Sequence, residues 1–138
     1  MVNFFSENDF KIKDNNKLIG WIESTVLLEG FEPGEINYIF CDDNYLLDIN
    51  FNYLGHDTYT DIVTFNYNEE KVIHTDIYIS TQRVFENAKK FNTSPVDELH
   101  RVMIHGILHL CGYNDSSPAE KAVMRQKEDY FLSLRDFL

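Results

Sequence analysis

The segment Val102-Met103-Ile104-His105-Gly106-Ile107-Leu108-His109-Leu110-Cys111-Gly112-Tyr113-Asn114-Asp115 carries no Lys, Arg, Asp or Glu before its last position. A helix with that composition has no polar stripe to offer solvent, so it has to be central, with a sheet on one side and other helices around it. Its start is also marked. Ser94 can serve as N-cap, Pro95 suits the first helical position, and Asp97 and Glu98 favour the positive end of the helix dipole. Gly112 stands where the chain must leave the helix in a left-handed conformation.

Inside this apolar run the two histidines are the exception. Residues four apart on a helix lie roughly 40° apart around the axis, so His105 and His109 converge on one point. Unpaired imidazoles are costly among apolar neighbours, and coordination of a metal ion would satisfy them. The reversal at Gly112 brings the carboxylate of Asp115 toward the same point from outside the helix. His105, His109 and Asp115 are therefore the candidate metal ligands. Three protein ligands leave the fourth tetrahedral position of one zinc ion open for water, as in catalytic rather than structural sites.

Working outward, Val2 to Phe5 reads as a strand, and Lys17 to Leu28 as an amphipathic helix ending near Gly30. Glu32-Pro33-Gly34 reads as a turn, Ile36 to Phe40 as a strand, and Asp42-Asp43 as the start of a helix that ends before Gly55. Thr60 to Tyr67 and Val72 to Ile79 are dense in β-branched and aromatic residues, and the polar link from Asn68 to Lys71 makes them a hairpin. Helices follow from Thr81 to Phe91, from Pro95, and from a Ser117-Pro118-Ala119-Glu120 capping box to about Phe137. This order predicts a single α/β domain over residues 1–138. A small, mostly parallel four-stranded sheet with one antiparallel strand packs with about five helices, and the metal site lies on the central one.

A chain of 138 residues is long enough for one real core. It lacks an 18-residue apolar stretch and a basic-then-apolar amino terminus, so a soluble cytoplasmic protein with no membrane partner is expected. Cys41 and Cys111 fit neither a zinc ribbon nor a disulfide framework, and free, buried thiols are expected. The 23 acidic and 12 basic residues give a net charge of −11, which opposes tight, sequence-indifferent binding of polyanions.

The motif resembles that of the YbeY family, single-strand-directed endoribonucleases of ribosomal RNA maturation, with the signature H-G-x-L-H-L-x-G-Y-D-H. His105, Gly106, Leu108, His109, Leu110, Gly112 and Tyr113 match it. So do Thr60-Asp61-Ile62-Val63-Thr64-Phe65, similar to the family's T-D-V-L-S-F, together with Asn50, Asp76-Ile77, Met124 and Glu128. Two departures from the pattern matter. Asp115 replaces the third histidine, a hard oxygen in place of a nitrogen, which leaves room for a divalent metal other than zinc. Leu54 stands where the family has an arginine associated with RNA cleavage, and leucine cannot neutralise a phosphate; Arg83 and Arg101 are the alternatives in sequence.

The resemblance implies a metal-dependent endoribonuclease acting on single-stranded RNA, in small-subunit ribosomal RNA 3′-end maturation and ribosome quality control. It also implies ribosomal partners, among them a small-subunit ribosomal protein and a ribosome-associated GTPase. No general base is evident, because position 106 is glycine; Asp61, Asp76 and His56 are the candidates that folding would have to bring near. Two other readings stand beside this one. The H-x3-H-x2-G-x2-D spacing is similar to that of zinc metallopeptidases, which place a glutamate where Gly106 stands. A non-catalytic ribosome-assembly factor, stapled by its metal, would suit the acidic charge. His74, His100 and Trp21 are expected in structural roles, and Asn50 and Thr60 as loop-fixing residues.

Overall fold

The computed structural model describes residues 1–138, and its elements follow the chain as β1 (Val2–Ser6), α1 (Asn15–Leu28), β2 (Glu32–Cys41), α2 (Asp43–Leu54), β3 (Ile62–Asn66), β4 (Val72–Ser80), α3 (Thr81–Lys90), α4 (Pro95–Leu110) and α5 (Pro118–Ser133). The sheet has the spatial order β1-β2-β4-β3. β1 and β4 each run parallel to β2, and the β3–β4 hairpin supplies the antiparallel pair. The expected α/β architecture, with four strands and five helices, is the one observed.

Alternation along the strands divides the sheet into two faces. Ile36, Tyr38 and Phe40 of β2, with Ile73, Ile77 and Ile79 of β4, are buried on the face that receives α4. The Tyr38 hydroxyl donates to the Met103 carbonyl at 2.9 Å, which fixes α4 across the sheet. α4 also touches α1, α3 and α5, so it is central as its composition requires. The opposite face carries a polar row in which Asn3 donates to Asn37 and Asn37 to Asp76, each at 3.0 Å. Beside that row α2 covers a smaller cluster of Cys41, Leu46 and Val63.

β3 ends the sheet and has no neighbour on its outer side. Ser80 N–H donates to Asp61 O and Tyr67 N–H to His74 O, which sets the phase of the ladder. Val63 and Phe65 therefore turn their backbone groups toward β4, and Ile62, Thr64 and Asn66 turn theirs away from the sheet.

Three local expectations need correction. Glu32-Pro33-Gly34 is not a free turn but the irregular start of β2, where the register slips between Pro33 and Ile36. The cause is His74: its ring lies so close that a Cβ at Gly34 would meet Cε1 at 2.5 Å, and Nδ1 accepts from Glu35 N–H at 3.1 Å. The last helix stops at Ser133 rather than near Phe137, because the tail folds back over α1 and α4. There Arg135 donates to Asp97 and to His100, and Phe137 packs edge-on against Trp21. Cys41 is buried and free as expected, whereas Cys111 is free but only half-buried.

His100 has the structural role foreseen for it. Burial, reinforced by the neighbouring Arg135 charge, pushes its pKa down to about 4, so the ring stays neutral and accepts the guanidinium hydrogen bond. Between about pH 6.5 and 4 the unfolded chain binds a proton that the folded chain refuses, so stability present above that window is lost as pH falls through it. Urea unfolding at pH 6.5 and 4.5 should show a loss in the wild type larger than in His100→Gln, by on the order of 2 kcal/mol.

Candidate metal centre

The helix end and the loop after it are locked by sequence-local bonds. Gly112 adopts φ 102°, Gly112 N–H donates to His109 O, and Tyr113 N–H donates to Leu108 O, the paired pattern of a Schellman stop. Ser117 then caps α5: its hydroxyl accepts from Glu120 N–H while the Glu120 carboxylate accepts from Ser117 N–H. Between these anchors the Tyr113 hydroxyl donates to Glu29 at 2.5 Å, and Lys127 pairs with the same carboxylate at 3.0 Å. The short loop bearing Asp115 is thus tied to α1 and α5 as well as α4.

His105, His109 and Asp115 are brought together as the sequence predicts. The His105 and His109 Nε2 atoms are 3.0 Å apart, and they lie 3.3 and 3.4 Å from Asp115 Oδ2. Ligands about 2.0–2.1 Å from a tetrahedral ion stand ~3.3 Å from one another, so this triangle fits a zinc-sized cation. Protonation gives the same answer. His105 Nδ1 is 2.7 Å from Glu128 Oε2, and a carboxylate only accepts, so Nδ1 carries the proton and the neutral ring presents its Nε2 lone pair to the other two donors. Two imidazole nitrogens and an anionic oxygen facing one another at these distances could hold a cation among them.

Glu128 is a functional residue that the motif alone did not assign. It is 5% exposed, and Arg101 donates to its second oxygen at 2.8 Å and to Asp129 at 2.6 Å. Burial works against a charged His105, but the hydrogen bond and charge of Glu128, with Asp115 and Asp61, outweigh it and raise the His105 pKa. The signal in the sequence was the α5 spacing of Met124, Glu128 and Phe131, a buried face on which one member is a carboxylate.

A cleft of about 670 Å³ opens over the centre, lined on one side by His105, His109, Leu110 and Asp115 and on the other by Asn50, Leu54, His56 and residues 58–66 of the α2–β3 loop and β3. Asp61 and His56 are within it. Asp61 has no side-chain hydrogen-bond partner, and burial raises its pKa against the pull of His105. Asp76 lies in the polar row on the far face of the sheet and is not part of the site. Asn50 and Thr60 brace the wall by bonds to Thr58 O and Ile62 O. Neither sequence alternative for the missing arginine reaches the cleft: Arg83 is paired with Asp43, and Arg101 with Glu128 and Asp129. No Lys or Arg lines it.

Gly106 explains itself in the same geometry. A Cβ there would stand 3.0 Å from Ile62 Cδ1, 3.3 Å from Ile77 Cδ1 and 3.4 Å from Thr64 Oγ1, so this turn of α4 lies directly on the β3–β4 pair. The position that a metallopeptidase would fill with glutamate faces the sheet, and a side chain there would have to displace Ile62 and Ile77.

An α/β layer whose central helix and following loop bring two histidines and one carboxylate together at an open cleft has the arrangement of a hydrolase-type site that could hold a metal ion. The family model for endoribonuclease YbeY matches residues 4–135, and the chain belongs to that family. The endoribonuclease YbeY of Flavobacterium psychrophilum is 54% identical, with 97% of this chain and 96% of that protein covered. That of Christiangramia forsetii is 50% identical over 96% and 93%. The solution structure of a Thermotoga maritima protein superposes with a TM-score of 0.68 at 30% identity, covering 96% of this chain and 87% of that one.

Orienting carboxylates behind metal-binding histidines typically account for a 10- to 100-fold gain in affinity. Calorimetric titration with Zn²⁺ should therefore find Glu128→Gln binding about 10- to 100-fold more weakly than the wild type, with the fold retained.

Proposed function

We propose that this protein is a metal-dependent endoribonuclease that cuts single-stranded RNA in ribosomal RNA processing, with His105, His109 and Asp115 holding one divalent ion, zinc first. The observation that carries this reading is the triangle of 3.0, 3.3 and 3.4 Å between three lone-pair atoms at the floor of an open cleft, in a member of an endoribonuclease family. An ion bound there supplies Lewis acidity, withdrawing charge from a phosphate oxygen and acidifying water.

The remaining work falls to the chain itself. Glu128 holds His105 in the tautomer that presents Nε2 to the cleft, and Arg101 holds Glu128. Asp61 is the general base: its carboxylate lines the cleft beside His105 without a side-chain partner, and its raised pKa brings it nearer to neutral pH. It takes the proton from the attacking water. The peptidase alternative lacks a base at Gly106, a position whose side chain would press on the sheet rather than face the cleft. The stapled, non-catalytic alternative would need a closed site, whereas the cleft leaves the fourth ligand direction accessible. Ribosomal proteins and a ribosome-associated GTPase are the partners that membership of the family suggests, and the cytoplasm is the matching compartment. No helix is long and apolar enough to cross a membrane.

Metal-reconstituted protein should cleave a labelled single-stranded RNA, and both chelation and His109→Ala should abolish the products. Asp61→Asn should lower kcat by about 10²- to 10⁴-fold while binding the metal normally. With water as the nucleophile, a strand lacking 2′-hydroxyls is still cut. Complete dependence on that hydroxyl would show internal attack instead.

A further inference from the structure

The metal cleft has an unusual wall. Its far side is the unpaired edge of β3, where the N–H groups of Ile62, Thr64 and Asn66 and the C=O groups of Thr64 and Asn66 point away from the sheet. None of these five groups has a hydrogen-bond partner in the protein; the Ile62 carbonyl, by contrast, accepts from Thr60 Oγ1. Edges of this kind are ordinarily shortened, charged or covered, since they are templates for pairing. Here the edge is left open beside the reacting centre.

We propose that the β3 edge is a rail that hydrogen-bonds the base edges of an extended single RNA strand and leads it to the metal centre, a proposal that rests on the endoribonuclease reading above. Charge gives RNA little hold at this wall, because no Lys or Arg lines the cleft and the chain carries a net charge of −11; Arg101 and Arg125 line an adjoining recess that shares Asp61, His105 and Asp115. A row of alternating neutral donors and acceptors complements the donors and acceptors of unpaired bases. In a duplex those groups are already occupied. The spacing agrees: outward groups recur every second residue, ~6.8 Å along an antiparallel strand, twice the ~3.4 Å per nucleotide of one strand in a stacked double helix. Only an unstacked strand can set successive nucleotides against successive donors.

Aromatic rings lie next to the rail on the α2 face of the sheet, opposite α4. Phe65 stacks on Tyr67 with centroids 6.4 Å apart, Tyr53 meets Phe65 edge-on at 5.9 Å, and Tyr53 and Tyr67 are 69% and 55% exposed. Exposed ring faces beside a single-strand path accept unstacked bases. They favour RNA over an extended polypeptide, which would also pair with a strand edge.

Asn66→Pro tests the rail, since Asn66 is exposed and does not touch the Gly106 contact. Proline removes an outward N–H without touching the β3–β4 ladder, and edge strands tolerate it there. Steady-state cleavage of single-stranded RNA by the metal-loaded variant should show KM raised at least about threefold, the loss of one neutral hydrogen bond, with kcat and Zn²⁺ affinity unchanged. A KM within threefold of wild type overturns the rail, as does a parallel loss of metal affinity. Loss of pairing with an extended peptide while KM for RNA is unchanged overturns it too and assigns the edge to polypeptide. If the variant does not fold, the salt dependence of wild-type RNA binding decides. Neutral recognition predicts a log–log slope shallower than about −1.5, equivalent to two neutralised phosphates or fewer, and a steeper one overturns the proposal. Wild-type protein that neither binds nor cuts RNA would sink the parent reading as well, an outcome distinct from a change confined to Asn66→Pro.

Discussion

The backbone of α4 at Gly106 rests on the side chains of Ile62, Ile77 and Thr64, and most of the site follows from that approach. A larger residue would press on those side chains and loosen the approach. Instead His105 and His109, one on each side of that contact in sequence, are carried to the rim of β3, where helix and strand edge form the two walls of one cleft. Packing thus does chemical work. The same contact that closes the core also decides how far the imidazoles stand from the unpaired backbone of the last strand.

Around that contact the charges are arranged in pairs. Arg101 is spent on Glu128 and Asp129, Arg83 on Asp43, Lys127 on Glu29 and Arg135 on Asp97. Each pairing fixes an element or a ligand, and none leaves a cation facing the cleft. The cleft wall itself thus offers a polyanion neutral hydrogen bonds, while Arg101 and Arg125 line the adjoining recess beside His105 and Asp115. The absence of an arginine at Leu54 belongs to the same pattern.

Much of this was legible in the sequence, for identifiable reasons. The apolar run of α4, its Ser94 and Pro95 start and its Gly112 stop are local signals, and each folds as its chemistry dictates. The ligand triad could be read because i, i+4 spacing and a glycine reversal are also local. Glu32-Pro33-Gly34 was misread as a turn because what shapes it is the ring of His74, 40 residues after Gly34 and visible only once β2 and β4 pair. The end of α5 was misplaced for a similar reason: Arg135 and Phe137 continue a helical pattern but are drawn away by His100, Asp97 and Trp21. Glu128 matched a family position without revealing its partner, since nothing in α5 shows that a histidine 23 residues earlier faces it.

The clamp of Tyr113 and Lys127 on Glu29 has a thermodynamic consequence. Glu29 is the C-cap of α1, so the carboxylate that holds the Asp115 loop belongs to the residue on which that helix ends. Fraying of α1 at that end and release of the loop are then a single opening event. Whatever occupies the triangle of ligands lowers the population of that open state, and amide exchange at the end of α1 reports on a site that α1 never touches.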